Sequence, residues 1–144
     1  MAGSPIHLHP QYDPRLLLNS QPLIITVIDP LTHKVVFQND SSQRKFGDIS
    51  HATCHEKIAG CAMPCSFCRM PEAVETGRLS SSEVPLPNDE HLLVQWAKVE
   101  TTSGATHIIE TITDITALKR QQQETERLVT KLSATNRDVI QANQ

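Results

Sequence analysis

The chain has 144 residues, a formal net charge of −3 and only 3% aromatic residues. That length fits one domain, and the aliphatic residues must fill most of its core. An acidic balance without a basic patch excludes a general nucleic-acid binder, because phosphate binding needs concentrated positive charge. The longest apolar run, Leu23–Ile28, is too short to span a membrane. The opening Met1-Ala-Gly-Ser-Pro5 lacks the basic and apolar segments of a signal peptide. A cytoplasmic location is expected, and with it no standing disulfide framework.

Residues 1–14, with Pro5, Pro10 and Pro14, show no clean periodicity and read as an irregular arm. Arg15–Ser20 predicts a short helix ended by Pro22. The β-branched run Leu23–Ile28 reads as a buried strand. Turn residues Asp29–His33 then lead into a second strand, Lys34–Phe37, which makes a hairpin. Asn39-Asp-Ser-Ser42 is cap-like and opens a short helical stretch that stops at Gly47. Pro71–Gly77 predicts a helix with proline near its start and glycine at its end. Ser80–Pro85, His91–Glu100 and Thr106–Thr113 are three further strands, separated by turns at Asn88-Asp89 and Ser103-Gly104. In the middle one, Leu93, Gln95 and Ala97 face one way, and Val94, Trp96 and Lys98 the other.

From Ala117 the pattern becomes a heptad. Leu118, Thr125, Leu132 and Val139 recur every seventh residue, and Gln121, Leu128, Thr135 and Ala142 follow three places after each. A long helix is expected. Its seam carries glutamine and threonine, so it needs a partner chain or a further domain. The alternative is a solvated terminal helix packed on its own domain.

All four cysteines fall within fifteen residues: Cys54, Cys61, Cys65 and Cys68, with six, three and two residues between them. Cysteines that serve as small buried hydrophobes have no reason to cluster. Four thiolates this close can surround one ion or cluster, because zinc and iron–sulfur centres both accept four sulfurs. Cys65-x-x-Cys68 is a common half-site for tetrahedral zinc, with Cys54 and Cys61 as the other half. A reversible Cys65–Cys68 disulfide and four unligated structural cysteines are the remaining readings. His51 and His55 flank the first cysteine as substitute ligands or hydrogen-bond partners. Met63 and Phe67 are expected to shield the site from water, Glu56 and Lys57 to lie on the surface of a short helix, and Trp96 to pack in the sheet. Arg69 after Cys68 rules out haem attachment through Cys-x-x-Cys-His.

The order of hairpin, short helices, three-stranded meander and long exit helix resembles that of a PAS sensory domain. Asn39–Gly47 is similar to the family's stretch after its second strand, where Asn precedes a short helix ending in a hydrophobic residue and Gly. Ile112-Thr-Asp114-Ile-Thr116 resembles the Asp-Ile-Thr signature that closes the last strand and opens the signalling helix. The resemblance covers residues 15 to about 120. It implies an α+β fold: a five-stranded antiparallel sheet with short helices on one face and a long C-terminal helix. The domain limits that follow are an arm at 1–14, a sensory domain at 15–116 and a signalling helix at 117–144.

Cys54-His-Glu56 and Pro64-Cys65-Ser-Phe-Cys68 resemble a cysteine-bearing PAS subgroup, which carries one cysteine and then Pro-Cys-x-x-Cys. Cys61 is an addition to that pattern. The Asn-Cys-Arg motif of flavin-binding, light-sensing PAS proteins is missing around Cys54, which disfavours a flavin–cysteine adduct. Cys61-x-x-x-Cys65-x-x-Cys68 also looks like the cluster loop of radical S-adenosylmethionine enzymes, but the chain is too short for their barrel. A [4Fe–4S] cluster on Cys54, Cys61, Cys65 and Cys68 is the preferred expectation, with zinc as the alternative.

No nucleophile–base pair, phosphate-cradling loop or paired carboxylates stand out, so the chain is not expected to be an enzyme. The expected function is a sensory input module responding to oxygen or redox state. It would form a homodimer through the C-terminal helix and feed a kinase, cyclase or regulator outside this chain, with no nucleic-acid or membrane partner. The alternatives are a zinc-stapled structural or dimerisation module, and a small-ligand PAS domain with a thiol switch.

Overall fold

In the computed structural model, which describes residues 11–143, the first helix is α1 (Pro14–Asn19). Asp13 caps it by accepting the Arg15 amide at 2.9 Å, and Pro14 opens it. Pro14, expected in the N-terminal arm, is thus the first residue of α1, and residues 1–10, the rest of that arm up to Gln11, lie outside the described residues. Proline suits this position because the first amide of a helix has no partner within it. Strands β1 (Ile24–Asp29) and β2 (Lys34–Gln38) form the predicted antiparallel hairpin. At its turn His33 takes a φ of 58°, a backbone region that non-glycine residues seldom occupy.

Helices α2 (Asp40–Phe46), α3 (Cys54–Lys57) and α4 (Met70–Thr76) follow. Gly47 and Gly77 end α2 and α4 with positive φ, as their positions in the sequence imply. Strands β3 (Ser80–Pro85), β4 (His91–Glu100) and β5 (Thr106–Asp114) complete the sheet, and α5 (Thr116–Ala142) leaves from its last strand. The strand order is β2-β1-β5-β4-β3, so β2 and β3 are the edges and β5 is central. The result is the expected α+β architecture of a five-stranded antiparallel sheet, short helices and a long C-terminal helix.

Contacts divide the chain into two units, residues up to Ser82 with Leu93–Thr113, and Glu83–Leu92 with Asp114–Gln144. The first holds the core. Ile25 and Ile28 of β1, Val35 of β2, Val94 and Trp96 of β4, and Ile108 and Ile112 of β5 are buried with Met70 and Ala73 of α4. Alternation in β4 falls as expected, with Val94 and Trp96 inward. In the second unit Asp114 Oδ1 accepts the Thr116 amide (2.9 Å) and hydroxyl (2.6 Å) at the start of α5. The His91 amide donates to Thr116 Oγ1, and Lys119 pairs with Glu83. No residue of α5 is buried, and Leu118, Leu128, Leu132 and Val139 of the heptad seam are exposed.

Two polar devices organise the first unit. Asn39 is fully buried and uses its whole side-chain amide. Its Nδ2 donates to the carbonyls of Leu18 (3.0 Å) and Leu23 (2.8 Å), and its Oδ1 accepts from the amides of Ile25 and Ser42 (both 3.0 Å). One side chain thus fixes α1, β1 and α2 together. The second device is a buried polar row across the sheet. Thr26 of β1 is in register with Gln38 of β2 on one side and Glu110 of β5 on the other. Trp96 of β4 extends the row by donating its indole N–H to Glu110 Oε2 at 2.8 Å. Ser42 joins it from α2, bonded to Thr26 and Gln38 (both 3.0 Å).

Truncating a fully bonded buried amide strands its former partners, at about 1–3 kcal/mol for each group left unsatisfied. Asn39→Ala is therefore expected to lower unfolding stability by about 3 kcal/mol or more, read from the urea midpoint at unchanged slope. A loss below about 1 kcal/mol would contradict the clamp.

Candidate functional site

The cysteine segment is tied at both ends to the edges of the sheet. At its start, the Cys54 amide donates to the His33 carbonyl (2.8 Å), and Val35 donates to Ala52 (2.9 Å). Lys34 and Thr53 form an antiparallel bridge next to them. These bonds fix Cys54 to the β1–β2 turn. At its end, Ser82 Oγ of β3 donates to the Phe67 carbonyl (2.8 Å) and Ser80 Oγ to the Arg69 carbonyl (2.7 Å). The segment thus starts at one edge strand, β2, and finishes at the other, β3. Central β5 lies between those edges, with Glu110 on its buried face.

Within the segment, α3 makes one turn and the chain folds back on it. The Cys61 amide donates to the His55 carbonyl at 2.7 Å, and His55 Nδ1 donates to the Cys61 carbonyl at 3.0 Å. That second bond fixes the tautomer and leaves Nε2 without a proton when the ring is neutral. Cys68 bonds back to the Cys65 carbonyl at 3.0 Å, which closes the Cys-x-x-Cys turn. Cys54 is buried, the other three cysteines are half-buried, and none is in a disulfide. Cys61 Sγ donates to the Ala59 carbonyl at 3.6 Å.

His33, far off in sequence, joins the site. Its Nδ1 is 4.0 Å from Cys54 Sγ, and its ring stands edge-on to that of His55 with 5.6 Å between centroids. Of the two histidines flagged by the sequence, His55 is part of the segment's bonding. His51 is exposed, and its amide is spent on the Val35 carbonyl. Glu56 and Lys57 are exposed, as expected for a surface turn. The shielding expected of Met63 is not found, because that side chain is 74% exposed at the outer bend of the segment. Phe67 is half-buried, and Trp96 packs in the sheet.

Electrostatics link the thiols to one another and to Glu110. Burial pushes the Cys54 thiol up to about 11, and charge on Glu110 and Cys68 pushes the same way. Cys65 rises to about 12, first through burial, then through its hydrogen bond with Cys61 and the charges of Cys61, Cys68 and Cys54. Burial also raises Cys68, with Glu110 adding to it and the Met70 amide opposing it. These three thiols are protonated at neutral pH and resist becoming thiolates unless a cation offsets the charge. Among the described residues, no three His, Cys, Asp or Glu side chains already stand in an arrangement that holds a metal ion. The donor chemistry suits a thiophilic metal, and closing the set requires side chains of the segment to turn toward one another.

Glu110 is the residue that sequence reasoning missed. It is 8% exposed, Oε2 takes the Trp96 indole, and Oε1 is buried with no hydrogen-bond partner among the described residues. A signal was present, since Ile108, Glu110 and Ile112 alternate on the inward face of β5 and an acid there breaks the apolar pattern.

No protein-family model matches the sequence, and no curated protein matches it significantly. The fold, by contrast, matches solved PAS structures. An RNA-binding light-oxygen-voltage receptor aligns over 85% of this chain with a TM-score of 0.59 at 18% identity. The chain spans 40% of that receptor's length. The PAS domain of nitrogen regulation protein NR(II) from Vibrio parahaemolyticus aligns over 69% of this chain and 96% of its own, with a TM-score of 0.52 at 11% identity. A sensory box sensor histidine kinase from Vibrio cholerae aligns over 69% of this chain and 86% of its own, with the same score and identity. The fold is that of a PAS domain. No helix of the described residues is long and apolar enough to cross a membrane.

Glu110 makes stability depend on pH. Burial, opposed by the Trp96 hydrogen bond, raises its carboxyl from 4.5 to about 7. Between those values the unfolded chain has released the proton and the folded chain has kept it, so raising the pH favours unfolding. The stability of the neutral carboxyl is complete below 4.5 and is lost as the pH rises through 7. The loss is about 3 kcal/mol. Unfolding free energies of the reduced, metal-free protein should fall by that order between pH 4.5 and 8, whereas Glu110→Gln should lack this component. Parallel pH profiles for the two proteins would contradict the assignment.

Proposed function

We propose that this chain is the sensory input module of a signalling protein, with the thiol segment at residues 54–68 as its sensing element. In this reading Cys54, Cys61, Cys65 and Cys68 are the ligand candidates for an iron–sulfur cluster of the [4Fe–4S] type. The observation that carries it is four thiols within fifteen residues, in a segment anchored to both edges of the sheet, with the thiols of Cys54 and Cys65 raised in part by their cysteine neighbours. A centre closed by protein ligands suits response to oxygen or redox state better than catalysis. Solved structures with this fold come from a light-oxygen-voltage receptor, a nitrogen regulation protein and a sensor histidine kinase, which supports a role in signalling.

The route to an output is covalent and short. β5 carries Glu110, whose charge acts on the thiols of Cys54 and Cys68, and runs directly into α5. Ordering of residues 54–68 biases α5 only if one arrangement of the helix favours the loaded segment over the empty one. The exposed seam of Leu118, Leu128, Leu132 and Val139 fits a second copy of the chain, giving a homodimer whose paired helices lead to an output domain.

Zinc is the second reading, favoured by His33 Nδ1 at 4.0 Å from Cys54 Sγ, because zinc accepts mixed sulfur and nitrogen ligands. The module would then be a structural or dimerisation unit. A thiol switch is less well supported, since a reactive cysteine needs a lowered pKa and Cys54, Cys65 and Cys68 are all raised.

Purification of the full chain without oxygen, with iron, sulfide and zinc assays and light scattering on one sample, tests the proposal. Equal iron and sulfide with visible absorption that bleaches in air is the expected result, on a particle of dimer mass. Cys65→Ser/Cys68→Ser should lose the metal, and Leu128→Lys/Leu132→Lys should keep it while running as a monomer. A colourless protein with about one zinc per chain moves the assignment to the second reading. Absence of any metal overturns both.

A further inference from the structure

We propose that the edge strand β3 couples the thiol segment to α5: its serines hold the backbone on both sides of Cys68, and its Glu83 holds the first turns of the helix through Lys119. The inference goes beyond the proposed function, because the coupling belongs to the fold whether or not the segment carries a metal. Only its use in signalling rests on that reading.

Three successive residues of β3 grip the segment. Ser80 Oγ donates to the Arg69 carbonyl (2.7 Å) and Ser82 Oγ to the Phe67 carbonyl (2.8 Å), while Arg69 Nη1 donates to the Ser81 carbonyl (3.0 Å). Phe67 and Arg69 are the chain neighbours of Cys68, so the carbonyls of both are tied to one strand. Both hydroxyl bonds have the length of well-formed O–H···O bonds. Ser80 is buried, and a bond made away from water is costly to leave unmade. The Cys68 amide in turn bonds to the Cys65 carbonyl, so a change in the Cys-x-x-Cys turn meets the serines within one residue.

The next residue of β3 serves the helix. Side chains alternate along a strand, so Glu83 projects from the face opposite Ser82. Its carboxylate pairs with Lys119, one turn into α5. The start of β4 holds the same helix root: the Ile115 amide donates to the His91 carbonyl (2.9 Å), and the His91 amide to Thr116 Oγ1 (3.0 Å). Glu83–Leu92 and the chain from Asp114 form one compact unit, which β3 enters between Ser82 and Glu83. The strand is thus bonded to the segment on one side of that point and to the helix on the other, and regular elements bonded at both ends are what carries coupling between sites. The Glu83–Lys119 pair is partly exposed, and such pairs are weak. A weak contact suits a helix root that is to be released and retaken.

The test is amide hydrogen exchange, followed by NMR on the full chain, reduced and free of metal. The Ile115 and Lys119 amides report the root of α5, the Cys68 amide reports the segment, and the Ile25 and Asn39 amides report the core. Glu83→Gln should speed exchange at Lys119 by about two- to fivefold, the size expected for an exposed ion pair. Ser82→Ala, which leaves the buried Ser80 in place, should speed Ile115 and Lys119 while Ile25 and Asn39 stay at the wild-type rate. Glu83→Gln should reciprocally speed Cys68. In the double variant the change in log rate at Lys119 should fall short of the sum of the single changes. Wild-type rates at Ile115 and Lys119 in Ser82→Ala overturn the coupling, as do strictly additive changes in the double variant. Equal acceleration at Ile25 and Asn39 overturns it as well, since Ser82 would then act on the whole fold. None of these outcomes bears on the metal assays, so the two proposals stand or fall separately.

Discussion

A carboxyl buried in the middle of the sheet's inner face is the constraint on which the rest of the structure turns. Glu110 lies on the central strand, between Thr26 and Trp96, on a surface that also carries the buried Ile28, Val94, Ile108 and Ile112. An apolar residue would pack there at no electrostatic cost. Burial instead raises the carboxyl to about 7, a penalty that the single hydrogen bond from Trp96 offsets only in part. The segment that crosses from one sheet edge to the other carries the thiols of Cys54 and Cys68, whose pKa values burial and the charge of Glu110 raise, so they too are driven toward their neutral forms. Glu110 and these thiols are thus all held toward their neutral forms.

This shared electrostatics ties chemistry to architecture. The ends of the cysteine segment are held by backbone bonds to the β1–β2 turn and by serine hydroxyls of β3, while its middle is exposed around Met63. His33 and His55 stand at the Cys54 end and the Cys-x-x-Cys turn stands at the other. The strand bearing Glu110, β5, ends at Asp114, and α5 begins at Thr116.

Most of the fold was legible in the sequence, since its signals are local. β-branched runs mark β1 and β5, Asn39 and Gly47 bracket α2, Pro71 and Gly77 bracket α4, and Asp114 opens α5. The clustering of cysteines was likewise plain. The partners of those cysteines were not, because they arrive through strand order. Nothing near Cys54 in the sequence points to His33, which reaches it only because the hairpin turn pairs with the residues before α3. Glu110 left a trace as an acid at an inward position, but its meaning depends on which segment packs above it. The full bonding of Asn39 is similar: its capping role could be read, whereas its hold on Leu18 and Leu23 depends on where α1 lies.

The central claim is that these thiols converge on one metal centre facing the sheet. X-ray absorption at the edge of the metal carried by anaerobically purified protein tests it most directly, because it reads the donor atoms themselves. The account predicts a first shell dominated by sulfur at about 2.3 Å. A shell of nitrogen and oxygen alone would contradict it, for the metal would then sit away from the cysteines.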